Sequence, residues 1–126
     1  MPRDFSGRSA IADRVRLQHM LDAARQVKAF VAGRKRADLD HDDMLVRAVM
    51  NALQEIGEAA ANLGDDARSR VEGVPWGQIV ETRNILIHVC WAVDRDKVWA
   101  TATRDMDPLI AAISAAISNW PLPRSS

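Results

Sequence analysis

The chain contains no tyrosine, one cysteine and three histidines that stand far apart, and each scarcity removes a class of chemistry. A lone Cys90 cannot close an internal disulfide, so a reducing cytoplasm is the expected setting. His19, His41 and His88 have no zinc-ligand spacing and no second cysteine to join them, so no metal site is expected. No Walker-type loop and no G-x-G-x-x-G is present, which leaves no phosphate-cradling turn for a nucleotide cofactor. No cofactor is therefore expected. No apolar run approaches the roughly 20 residues needed to cross a bilayer, and MPRDFSGRSA lacks the apolar centre of a signal peptide. Neither membrane insertion nor export is expected. Strand-like alternation bounded by hairpin turns is missing as well.

What is present is helical periodicity. Leu17, Met20, Leu21, Ala24, Val27 and Val31 recur at i, i+3, i+4 and i+7, which predicts a first helix from about Ser9 to Val31, stopped at Gly33. DLDHDDML opens a second, with Asp40 as the expected cap. Its stripe is Leu45, Val49, Leu53, Ile56, Ala60 and Leu63. Gly57 interrupts that run at a cost of about 1 kcal/mol relative to alanine, which suggests that another helix comes close there. The irregular stretch 64–77 has room for a helical turn within DDARSRVE. A third long helix is expected from about Trp76 to Ala92, and Asp94 restarts a helix after it. Asp107 with Pro108 reads as the start of the last helix, carried by Leu109, Ala112, Ile113, Ala116 and Ile117. The expectation is one all-α domain over residues 9–118, an antiparallel bundle of four to five helices, with flexible termini at 1–8 and 119–126.

Net charge is zero but polarised. Residues 1–37 carry nine Lys/Arg against three Asp/Glu, and residues 38–75 reverse that to three against nine. A basic first third can attract phosphate, or it can be an ordinary solvated helix surface. The same polarity suits self-association or a charged protein partner.

The stretch RNILIHVCW, residues 83–91, sets polar groups into an apolar run. On a helical wheel Glu81, Asn84 and His88 share a narrow sector, with Asn84 and His88 neighbours at i, i+4. Arg83 stands about 140° from His88, among apolar neighbours, and there needs a carboxylate or solvent. Glu58 is the best partner by type. Two readings stand. The residues are a buried histidine and a packing ion pair, or they are a site. Arg and His together suit phosphodiester cleavage, the histidine moving a proton and the arginine holding phosphate. A Cys90–His88 nucleophile pair is disfavoured, because i, i+2 positions point to opposite sides of a helix.

DRVRLQHMLDAA, IGEAAANL, VPWGQIVETRNILIH and VDRDKVW stand in that order over most of the chain. In this combination the chain from about Asp13 to Ile117 resembles the HepT-like HEPN domains, the toxin halves of HepT–MntA toxin–antitoxin pairs. The resemblance implies a homodimeric helical bundle with R-x-x-x-x-H motifs facing a shared cleft. It further implies a metal-independent endoribonuclease acting on RNA, with a minimal nucleotidyltransferase as antitoxin partner. Carried over, His88 is the acid/base, Arg83 the phosphate clamp and Asn84 the residue that orients the site, with Glu58 supporting them as the partner expected by type. The family pattern continues to a tyrosine that the antitoxin modifies with AMP. Here that position is Cys90, so tyrosine modification is not expected and neutralisation is expected to run through binding. The alternative is a non-catalytic HEPN dimer that binds a nucleotidyltransferase or a nucleotide.

Overall fold

Helix α1, Gly7–Val31, lays its apolar stripe inward in the computed structural model, which describes residues 7–88 and 94–121. Leu17, Met20, Ala24 and Val27 are fully buried. Gly33 ends the helix because the chain reverses there at φ 72°, a left-handed conformation that costs glycine little. Arg34 N–H then closes the turn onto the Val31 carbonyl at 2.9 Å.

The acidic segment divides into two elements. A short helix α2, Asp38–His41, drops Leu39 into the core. Helix α3, Asp43–Ala61, begins only after Asp42, whose side chain accepts from Leu45 N–H at 3.0 Å. Asp42, and not Asp40, is therefore the cap. Asp40 lies inside α2 with its carboxylate on Arg36 at 3.1 Å, whereas the extended backbone of Asp42 leaves its side chain free to fold back. All six residues expected on the α3 stripe are buried.

Helix α4, Asp65–Arg70, occupies the irregular stretch. Arg68 donates to the Ala60 carbonyl at 2.8 Å, adding a side-chain partner at the C-terminal turn of α3. The Trp76 indole N–H donates to the Arg68 carbonyl at 3.2 Å, which ties the start of α5, Trp76–His88, to the same corner.

Asp94 caps α6, Arg95–Ala100, by accepting from Asp96 and Lys97 N–H groups. The expected break at Asp107–Pro108 does not occur. The chain passes from α6 through a wide π-helical turn, Thr101–Asp105, straight into α7, Met106–Ser118. Pro108 has no N–H to return to the carbonyl four residues back, and the widened turn falls where a regular ladder would meet that gap.

Cross-links give the directions. Asp13, near the start of α1, receives Gly64 N–H from beyond the end of α3, while Arg34 after α1 pairs with Asp42 before α3. Lys28 late in α1 pairs with Asp107 early in α7, and Trp120 after α7 reaches Ala10. Both α3 and α7 thus run antiparallel to α1. Among the described residues every regular element is helical, and no helix is long and apolar enough to cross a membrane.

The chain end is more tightly held than its proline content suggests. Trp120 is only 8% exposed, and its indole N–H donates to the Ala10 carbonyl at 2.8 Å. Trp120→Ala is expected to destabilise the protein by about 3 kcal/mol, the usual scale for truncating a buried tryptophan. Urea unfolding monitored by far-UV circular dichroism measures this, and an unchanged midpoint would contradict the anchoring role.

Candidate functional site

The site starts from a missing side chain. Gly57 is buried on α3, and a Cβ built there would stand 2.2 Å from Arg83 Cβ and 3.3 Å from Arg83 Cα. Helix α5 therefore touches α3 backbone to backbone at Arg83, closer than any other residue at 57 would permit. The next residue, Glu58, supplies the counter-charge. Its Oε1 lies 3.4 Å from Arg83 Nε.

That pair is only partly shielded, with side-chain exposures of 28% for Arg83 and 47% for Glu58. At such exposure and distance it adds little to stability. Its effect is directional: it sets the guanidinium at the edge of the α3–α5 contact, charged and still reachable from solvent. Asn84 and His88 lie one and five residues further along α5, which carries them on the same helix as Arg83. Their side chains, and Cys90 with Trp91, fall outside what the structure describes.

Glu58 also borders an open trough of about 620 Å³ between α1 and α3. Arg16 and His19 line it from α1, and Asn51, Gln54 and Glu55 from α3. The sequence reading gave these five no role. Their signal was present as spacing, since 51, 54, 55, 58 and 62 recur on one face of α3 opposite the buried stripe. Without knowing that α1 packs there, that face reads only as solvated.

A second cleft, of about 380 Å³, lies between the start of α5 and the π turn. Leu53, Ile56 and Met106 make its apolar wall, and Glu81, Lys97 and Asp105 stand among its polar lining. Glu81 is exposed there.

Part of the basic first third is internally paired. Arg16 pairs with Asp13 at 3.1 Å, and Arg34 with Asp42 at 3.4 Å. Arg36 holds both Asp40 and Asp96. Asp96 foremost, and Asp40 after it, push the Arg36 guanidinium above its already high ordinary pKa. Arg34 and Arg36 thus meet the acidic segment just after α1. Among the described residues no group of three or more His, Cys, Asp or Glu side chains is placed to hold a metal ion.

Comparison with known proteins follows the same region. The family profile "Ribonuclease HepT-like" matches residues 20–116, which include Gly57, Glu58, Arg83 and His88. The chain is 32% identical over 90 residues to a Methanocaldococcus jannaschii protein named "Putative RNase MJ1380", covering 71% of this chain and 83% of that one. It is likewise 32% identical over 93 residues to "Putative RNase TTE0752" of Caldanaerobacter subterraneus, covering 74% and 83%. "Probable ribonuclease HepT" of Thermococcus cleftensis is 36% identical over 62 residues, covering 49% and 56%. No solved structure matches the chain significantly.

The close approach at position 57 is directly testable. Gly57→Ala removes a helix-weakening glycine, so propensity alone would raise stability. The clash with Arg83 Cβ should outweigh that gain and lower stability by about 1–3 kcal/mol. A thermal melt of the variant that shifts upward would show that α3 and α5 stand further apart.

Proposed function

The chain belongs to the ribonuclease HepT-like family, and from that premise we propose that it is a metal-independent endoribonuclease of a toxin–antitoxin pair. The observation that carries the reading is the half-buried Arg83, aimed by Glu58 at the Gly57 crossing, five residues before His88 on α5. A guanidinium that meets solvent at one edge is suited to a phosphate oxygen pair.

In the reaction His88 takes the proton from the RNA 2′-hydroxyl as its oxygen attacks the adjacent phosphorus. The P–O5′ bond breaks, the leaving oxygen takes up a proton, and the products are a 2′,3′-cyclic phosphate and a 5′-hydroxyl. Arg83 binds the non-bridging oxygens as negative charge accumulates on them. Asn84 orients the site, and Glu58 keeps the arginine from collapsing onto its apolar neighbours. Arg83 and His88 stand about 140° apart on an ideal helix, and a homodimer that joins two such helices across a cleft relieves that separation.

The proposed antitoxin is a minimal nucleotidyltransferase. A chain with no tyrosine offers no phenol for adenylylation, so neutralisation proceeds by the partner covering the site. That same feature supports a second reading, in which the domain is a non-catalytic dimer holding a nucleotidyltransferase or a nucleotide.

Purified protein incubated with RNA in EDTA separates the readings. Wild type should cleave and leave cyclic phosphate ends, and His88→Ala should lose at least about 100-fold of the rate, the lower range for removing an acid/base group. Arg83→Ala should lose a similar amount. Equal RNA integrity with wild type and His88→Ala would sink the ribonuclease reading in favour of the second.

A further inference from the structure

The trough between α1 and α3 reaches Arg83 through Glu58, yet its chemistry is wrong for phosphate. Glu55 and Glu58 both line it, and its arginine, Arg16, is already engaged by the nearly buried Asp13. An RNA backbone laid along it would meet two carboxylates with little positive charge left to offset them. What the trough does offer is a set of base-edge partners. Gln54 is a half-buried amide with no hydrogen-bond partner among the described residues, and it presents both donors and an acceptor. Asn51 donates to Glu55 Oε1 at 3.3 Å, which fixes that carboxylate while leaving its other oxygen and further lone pairs open. His19 is exposed on the opposite wall, a flat ring on which a base can stack.

We propose that this trough is a base-reading subsite that takes one unpaired nucleobase of the RNA next to the phosphate held at Arg83. This rests on the ribonuclease reading and adds a specificity to it. Glu55 accepts hydrogen bonds and donates none while ionised, so the subsite selects a base that carries an exocyclic amino group. Guanine is preferred, because its N1–H and N2–H2 meet a carboxylate two at a time. Uracil is disfavoured, because its single N3–H donor is flanked by two carbonyls, so one carboxylate oxygen of Glu55 would face a carbonyl without a donor. Glu58 separates the two halves of the site, with Arg83 and phosphate on one side and the base on the other.

The test uses chimeric oligonucleotides with a single ribonucleotide, so that one bond is cleavable, and guanine, adenine, cytosine or uracil beside it. Wild type should cleave the guanine substrate about tenfold faster than the uracil one, the scale of a good bidentate base contact. In Glu55→Gln and Gln54→Ala that ratio should fall towards one. Equal rates on all four bases in wild type, or a guanine preference that survives both variants, would overturn the proposal. Fluorescence anisotropy with the same labelled oligonucleotides gives a readout that does not need cleavage. If wild type cuts nothing, the ribonuclease reading fails by itself. A guanine-over-uracil binding ratio that Glu55→Gln removes would then still support the subsite, and base-independent binding would reject it. Circular dichroism of each variant confirms that the fold is intact.

Discussion

Everything that positions the candidate site passes through the contact of α3 and α5 at Gly57. A glycine inside a helix forfeits about 1 kcal/mol against alanine, and here the forfeited methyl is the space occupied by Arg83 Cβ. The consequence is more than close packing. With the two backbones this near, the carboxylate one residue on from the glycine is in reach of the arginine's Nε. One residue makes the room and the next receives the charge. A wider crossing would take the Glu58 carboxylate out of reach of the arginine's Nε and leave its guanidinium less firmly oriented.

Elsewhere in the molecule, ion pairs gather where α1 meets the acidic segment. The basic end of α1 and the loop after it face the acidic segment that opens α3, and Arg36 adds a link to Asp96 at the start of α6. These pairs are largely exposed, so each contributes little to stability. With a net charge of zero, an RNA ligand would depend chiefly on the site's own groups. The acidic trough beside Arg83 fits that picture, since it can discriminate bases only if it does not compete for the backbone.

Two of the departures from the expected fold concern segments that contain proline. Asp107–Pro108 reads as a helix start because proline suits the first turn, yet a helix already in place can continue through proline if the preceding turn widens. The π turn at Thr101–Asp105 is that widening, and it makes α6 and α7 one continuous rod. Beyond that rod the prolines of the tail suggest fraying, and Trp120 resists it by placing a large apolar ring and one N–H against the first turns of α1. Burial of an indole outweighs a local backbone preference.

Periodicity alone was enough for the helical class and for the buried faces of α1 and α3, because a repeat near 3.6 residues can satisfy its apolar side only against other helices. The polar residues of α5 were equally visible, and so was the oddity of Gly57, since both violate that pattern. Which aspartate caps α3 depended on a φ angle at Asp42 that composition does not encode. Whether Asp107–Pro108 breaks a helix depended on what the preceding turn could absorb. That Gly57 faces Arg83, and that Arg16 and His19 stand across a trough from Gln54 and Glu55, are matters of one helix's rotation about its axis against another. Rotation is decided by how all the buried side chains fit at once, and no single segment carries that information.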